Sequence, residues 1–325
     1  MDFQKRIKPA RRDSVFQLEA DGFLVWCGTI AQGDDGLYYL YFSFWPKSKG
    51  HDAWVTHSQI GFATSESPIG PFKFAGIAMT GAGGKEWDRD CAHNPSIIKA
   101  EGRYYLYYTG NYGNGEYWDH RNHQRVGVAW ADQPQGPFHR FNKPLIDVTP
   151  YAHDSLCTNN PTVARGEDGK YHMIYKAVGS EGALPVGGPV VCGAATADSP
   201  LGPFIRHTSP IMTNPLEGWS VEDPYIWYEE DRLYALVKDF QGYFTKSDKN
   251  SVALFESKDG IKWNVSDHSL AFKREILWED GELQRLQNME RPQLWLNQKG
   301  KPKVLCCACS FYGDEKREHF FNVQI

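Results

Sequence analysis

The sequence predicts an all-β protein, a five-bladed β-propeller of four-stranded blades whose ring is closed by an N-terminal strand. Three observations carry this. Aromatic residues make up 14% of the chain (17 Tyr, 18 Phe and 11 Trp), beside 31 Gly and 19 Pro, a usage that favours strands and tight turns over helices. One short pattern recurs five times along the 325 residues. A second pattern recurs in register with the first, and no long stretch carries the apolar spacing of an amphipathic helix.

The first pattern is a turn-forming residue and Pro before an aliphatic strand, followed by a tight turn and an alternating aromatic strand. Cys27-Gly28-Thr29-Ile30 leads to Gly36-Leu37-Tyr38-Tyr39-Leu40-Tyr41, and Asn94-Pro95-Ser96-Ile97 leads to Gly102-Arg103-Tyr104-Tyr105-Leu106-Tyr107. Asn160-Pro161-Thr162-Val163, Asp223-Pro224-Tyr225-Ile226 and Arg291-Pro292-Gln293-Leu294 open the remaining copies. From Gly28 through Pro95, Pro161 and Pro224 to Pro292 the spacings are 67, 66, 63 and 68 residues. Gly70-Pro71-Phe72, Gly136-Pro137-Phe138 and Gly202-Pro203-Phe204 recur 66 residues apart, with Asp259-Gly260-Ile261-Lys262-Trp263 as a degenerate fourth.

Each unit accommodates one four-stranded blade. The fifth ends on His319–Ile325, a third strand with no fourth, so Ser14–Glu19 is expected to complete that blade and remove the open edge. Residues 1–325 are accordingly expected to form a single propeller domain.

Composition narrows the function classes. A hydrophobic share of 41% against 23% charged residues is that of a globular chain, and 35 basic against 40 acidic residues (net −5) provide no cationic footprint for nucleic acid or an anionic membrane. No run approaches the roughly 20 apolar residues of a membrane span, and the first residues do not resemble a signal peptide. The expected location is the cytoplasm, or a secreted or periplasmic one if a signal peptide has been removed. Seven cysteines, an odd number without a Cys-x-x-Cys pair, suit reduced core thiols.

Blade geometry places the starts of all inner strands, and all loops between second and third strands, on one face. Those loops are long, polar and aromatic: Trp45 to His57, Asn111 to Arg125, Ser180 to Pro189, Phe240 to Asn250 and Phe311 to Glu318. The opposite turns are short, so function is expected on the loop-bearing face. The residues ahead of the inner strands, Trp26-Cys27, His93-Asn94, Asn159-Asn160, Glu222-Asp223 and Glu290-Arg291, differ between blades although the scaffold repeats. Acids, amides, an imidazole and a cation around one channel suit a sugar.

Each has a structural alternative. Asp223, Asn94 and Asn160 serve equally to hold turns before Pro, Glu290 with Arg291 serves as an ion pair, and His93 as a satisfied core histidine. Trp87 and Trp219 read as blade packing, Cys27 as a small buried hydrophobe, and Asp119, His120 and His123 as solvent-facing loop residues.

At these residues the chain resembles the five-bladed β-propeller glycosidases, glycoside hydrolase family 43 and its relatives, over nearly its whole length. The likeness rests on the repeated Asn-Pro or Asp-Pro starts, the Gly-x-Tyr-Tyr-Leu-Tyr strands, the Ser-Pro-Leu-Gly-Pro-Phe turn at 199–204 and Trp87-Asp88. It implies a carbohydrate substrate, no cofactor and an exo-acting, inverting glycoside hydrolase in a divergent member or sister family. The first blade departs from the pattern, carrying Cys27-Gly28 where an Asp-Pro would stand, and the acids fall instead at Glu222-Asp223-Pro224 and Glu290-Arg291-Pro292.

Glycoside hydrolysis needs an acid for the leaving oxygen and a second group to activate water. The expected acid is Glu290, with Asp223 or Glu222 as base and Asp90 in reserve. His93, Asn94, Asn160 and Arg291 are expected to bind the sugar, with Trp54, Tyr117, Trp118 and Tyr243 stacking on it. No metal site is expected. The alternatives are a propeller lyase or glycoside phosphorylase, and a non-catalytic carbohydrate-binding propeller.

Overall fold

A computed structural model describes residues 1–313 and 318–325. In chain order the strands are β1 (Val15–Phe16), β2 (Phe23–Gln32), β3 (Tyr38–Pro46), β4 (Gln59–Ser65), β5 (Lys73–Met79), β6 (Cys91–Ala100), β7 (Arg103–Asn111), β8 (Arg125–Ala131) and β9 (His139–Arg140). They continue as β10 (Cys157–Arg165), β11 (Tyr171–Val178), β12 (Val190–Ala197), β13 (Ile205–Arg206), β14 (Val221–Glu229), β15 (Arg232–Asp239), β16 (Ser251–Ser257) and β17 (Asn264–Phe272). The last are β18 (Glu275–Leu277), β19 (Leu283–Arg285), β20 (Asn288–Leu296), β21 (Pro302–Tyr312) and β22 (Glu318–Gln324).

Five antiparallel four-stranded sheets result: β2 to β5, β6 to β9, β10 to β13, β14 to β17, and β20-β21-β22-β1. The N-terminal strand closes the ring as expected, pairing Val15 with Val323 and Phe16 with Asn322. The hairpin β18-β19 lies between the fourth and fifth blades.

Two short helices, α1 (Trp54–His57) and α2 (Tyr117–Asn122), sit in the long loops of the first two blades. They are too short to leave a helical period in the sequence. The fifth long loop, Phe311 to Glu318, lies partly outside the described residues.

Second strands such as Tyr39-Leu40-Tyr41-Phe42 are buried on both faces because each blade packs against a neighbour on either side. The apolar cores accordingly lie between blades. Tyr41 and Ile60 of the first blade meet Leu106 and Tyr108 of the second, and Trp227 and Leu236 of the fourth meet Leu294 and Leu305 of the fifth. Each such buried side chain contributes about 1.5–3 kcal/mol. All seven cysteines are free and buried, in keeping with the reduced thiols expected from sequence.

One irregularity repeats in every blade. The inner ladder shifts register between Trp26 and Thr29, His93 and Ser96, Asn159 and Thr162, Glu222 and Tyr225, and Glu290 and Gln293. The residue at the bulge takes a positive φ each time: Cys27 at 60°, Asn94 at 52°, Asn160 at 52°, Asp223 at 55° and Arg291 at 53°. A Pro follows four of the five, and it lacks an N–H, so it fits where the ladder is broken. The bulge turns two consecutive side chains of each blade toward the axis, and Thr29 and Thr162 tie the blades together by accepting the backbone N–H groups of Ile97 (3.4 Å) and Ile226 (3.1 Å).

Candidate active site

The five bulge residues join around the axis. The Cys27 thiol meets Asn94 Oδ1 at 3.1 Å, Asn94 Nδ2 donates to Asn160 Oδ1 at 2.5 Å, and Asn160 Nδ2 donates to Asp223 Oδ1 at 2.7 Å. Arg291 completes the circuit, its Nη1 lying 3.6 Å from Asp223 Oδ1 and its Nη2 donating to the Asn94 carbonyl at 3.4 Å. This ring is the floor of a cavity of about 360 Å³ on the loop-bearing face. The preceding residues, Trp26, His93, Asn159, Glu222 and Glu290, line its wall, one from each blade.

The three carboxylates expected from the fourth and fifth blades therefore reach one cavity, but each is held differently. Glu222 is gripped by Lys176 on one oxygen and by Lys238 at 2.5 Å on the other. Burial opposes its charge, yet the two ammonium groups outweigh that cost and hold its carboxyl well below the usual carboxylate range. Lys238 also donates to Glu290 at 2.7 Å, so one buried ammonium bridges both acids. Burial lowers the Lys238 affinity for its proton, but the charges of Glu222, Glu290 and Asp223 raise it well above an ordinary lysine. Asp223 is pushed the opposite way from Glu222, up to about 6, by burial and then by the Glu222 charge, against which Arg291 acts only in part. Glu290 keeps the most exposed side chain of the three, 18% against 13% for Glu222 and 5% for Asp223.

His93 is 1% exposed, and burial pulls its pKa down to about 3, so it is neutral. Its Nε2 faces the amide nitrogens of Asn111 and Gln124, each at 3.4 Å, and Asn111 Nδ2 is anchored on the Val55 carbonyl at 2.9 Å. Two donors make Nε2 the acceptor, which leaves the proton on Nδ1, where it has no hydrogen-bond partner among the described residues. Trp54 packs edge-on against His93 at 5.3 Å, and Tyr117 and Trp118 continue the aromatic rim from α2.

Several expected residues lie elsewhere. Asp90 does not line the cavity; it turns back to accept the Gly113 backbone N–H at 2.9 Å beside Arg89, because the strand begins only at Cys91 and the preceding turn folds onto the Asn111 end of β7. Tyr243 packs on Phe244 and beneath Lys246, also away from the lining. Trp219 reverses the other expectation: 38% exposed, it lines the cavity and touches Phe240 with its edge, whereas Trp87 packs against Tyr108 as expected.

His120 is not solvent-facing. It is 3% exposed, with Nδ1 against Asn111 Oδ1 at 2.9 Å and Nε2 accepting the Gly115 N–H at 3.1 Å. His123 is half-buried and stacks on Tyr112, and Asp119 accepts the Asn114 backbone N–H. Asp88 and Asp154 are blade clamps: Asp88 accepts from Tyr108 and Arg140, Asp154 from Tyr175 and Arg206. Cys27 is the inert buried thiol expected of it, with burial raising its pKa to about 12. Among the described residues no group of three or more His, Cys, Asp or Glu side chains is arranged to hold a metal.

Lys176, Lys238, Arg121 and Gln124 also line or brace the cavity, although the repeat pattern does not single them out. Register supplies the signal for the lysines. Wall residues pair across the ladder with second-strand residues, Trp26 with Ser43, His93 with Thr109, Asn159 with Lys176, Glu222 with Lys238 and Glu290 with Ala308. Aligning the second strands as well as the first exposes two lysines in otherwise apolar runs.

No family model and no curated protein matches the chain. Among solved structures, a family 117 glycoside hydrolase of the marine bacterium Zobellia galactanivorans superposes with a TM-score of 0.65 at 18% identity, over 97% of this chain and 88% of that one. A thermostable family-43 glycoside hydrolase matches at 0.59 and 14%, over 93% and 88% of the two chains. A family-43 β-xylosidase/α-arabinofuranosidase from a compost microbial metagenome, solved with xylotriose, matches at 0.59 and 13%, over 93% and 91%. By its blades, its ring closure and these superpositions, the chain carries the five-bladed propeller fold found in glycoside hydrolases of families 43 and 117.

Proposed function

We propose that the protein is an inverting, exo-acting glycoside hydrolase that takes the end of an oligo- or polysaccharide into the axial cavity. The observation that carries the reading is the meeting of Glu222, Asp223 and Glu290 over one closed floor, with the proton affinities of Glu222 and Asp223 driven apart. Asp223 is the carboxyl that keeps a proton up to about pH 6 and is the general acid. Glu290, more exposed than its neighbours, is the base that reaches water, and Glu222, fixed between two lysines, stays ionised and helps keep the proton on Asp223 through its charge.

The acid and base are thus exchanged relative to the expectation from sequence, because burial and the Glu222 charge favour the proton on Asp223. His93 Nδ1, Asn159 and Arg291 supply donors and acceptors for hydroxyls, while Trp54, Trp118 and Trp219 form the apolar rim. A closed floor suits removal of terminal sugars.

The test is turnover on a glycan panel by wild type and by Glu290→Gln, Asp223→Asn and Glu222→Gln, with product stereochemistry read by NMR. Losses of about 10²-fold or more are expected for Asp223 and Glu290. The wild-type kcat profile is expected to fall as pH rises through about 6, where Asp223 loses its proton. Full activity in all three variants sinks the assignment.

A further inference from the structure

We propose, resting on the sugar-binding reading above, that the unit bound in the cavity is a uronosyl residue, and that the Arg121 guanidinium grips its carboxylate. Among the described residues the charges of the site do not balance. Lys176, Lys238, Arg291 and Arg121 stand against Glu222, Asp223 and Glu290. Lys176 is matched by Glu222, Lys238 by Glu222 and Glu290, and Arg291 faces Asp223.

The odd cation is Arg121. It is 6% exposed and lines the cavity, yet no carboxylate among the described residues lies within ion-pair distance of it. Its Nη1 donates to the Val186 carbonyl at 3.0 Å and to Asn122 Oδ1 at 2.9 Å, which fixes the head group but leaves its charge unanswered. Trp118 lies 5.7 Å from the guanidinium carbon, and Asn122 Nδ2 donates to the Pro185 carbonyl at 3.0 Å, so α2 is pinned to the neighbouring loop. A buried cation without a counter-ion is costly, and a substrate anion removes that cost on binding.

A second observation points to the same class of ligand. Arg291, 2% exposed at the cavity floor, has Nε and Nη1 without hydrogen bonds among the described residues, donors that an oxygen-rich, anionic sugar satisfies. The fixed planar fork of a guanidinium matches a planar carboxylate in two parallel bonds.

Calorimetric titration of the intact protein with glucuronate and glucose, galacturonate and galactose, mannuronate and mannose, and galactose 6-sulfate tests this without requiring turnover. At least one uronate is expected to bind tenfold or more tightly than its neutral partner. Arg121→Gln is expected to bring that ratio to near one, and Arg121→Lys, which keeps the charge but loses the fork, to reduce it severalfold. Should the glutamine variant fail to fold, the ratio measured for the lysine variant decides the question.

Equal affinity for acid and neutral sugars in the wild type overturns the proposal, as does a ratio unchanged in the variants or a preference for the sulfate over every uronate. Selective uronate binding by a protein that cleaves no glycoside refutes the hydrolase reading and upholds this one. Cleavage of neutral glycosides with no preference for uronates does the reverse.

Discussion

His93 and Asp223 line the same cavity, and burial drives both toward their neutral forms. The consequences for stability have opposite signs. His93 holds a pKa of about 3 against an ordinary 6.5, so as pH falls the unfolded chain binds the proton first, and stability drains away from about 6.5 down to 3. Asp223, raised from 3.8 to about 6, stabilises fully below 3.8 and loses that contribution as pH rises through 6. Between pH 7 and 5 the wild type is expected to lose about 2 kcal/mol more than His93→Gln in urea unfolding, at about 1.36 kcal/mol per unit. Parallel pH dependences for the two proteins rule this out. Lys238 is the other pivotal residue, 5% exposed and shared by two acids. Replacing it with Met keeps the bulk and strands buried negative charge, which should cost about 3–5 kcal/mol. A loss below about 1 kcal/mol in the same unfolding assay means the acids are compensated elsewhere.

At the scale of the element, the bulge in each inner strand converts a repeating sheet into a site. Its position is legible in the sequence because a residue-Pro step recurs five-fold with one degenerate copy at Cys27-Gly28, and the side chains it aims inward group by blade as the repeat implies. Other contributors leave weaker marks. Lys176 and Lys238 occur once each in apolar runs, where a long cation reads as a strand end meeting solvent. Arg121 lies on a six-residue helix with no period to announce it. Asp90 misleads because its closeness in sequence to His93 says nothing about a turn that folds away from the axis. The bulge also links backbone to ring. Asn160→Ala places a Cβ residue without a compensating side-chain bond at φ 52° and removes the link between Asn94 and Asp223. A loss of about 2–4 kcal/mol is expected, with Asn160→Gly recovering about 1 of it by relieving the backbone. Equal stabilities of the Ala and Gly variants exclude the backbone contribution.

At the scale of the molecule, the cavity exists only because the ring is closed, and closure depends on the first residues of the chain. Phe3 and Phe16 are buried in the cores flanking the fifth blade, Arg6 pairs with Glu229 at 2.9 Å, and Arg12 reaches Asp280 and Glu282 on the β18-β19 hairpin. The sequence points to this role through the strand-like run Ser14–Glu19 ahead of β2, and Val15–Phe16 of that run pairs with β22 as the fourth strand of the fifth sheet. Deleting residues 1–18 uncovers the β22 edge and removes Phe3, Phe16 and Leu18 from the cores, at about 1.5–3 kcal/mol each. Thermal unfolding is expected to shift down by about 10 °C or more, with concentration-dependent association through the exposed edge in size-exclusion chromatography. Glu290 and Arg291 belong to the same blade, so sugar binding should weaken in parallel, and a synthetic peptide of residues 1–18 supplied in trans should restore both. A truncated chain that stays monomeric, melts with the wild type and binds sugar unchanged would show that the interblade cores hold the ring without β1, because the contacts of that strand would then contribute nothing that the other four sheets do not already provide.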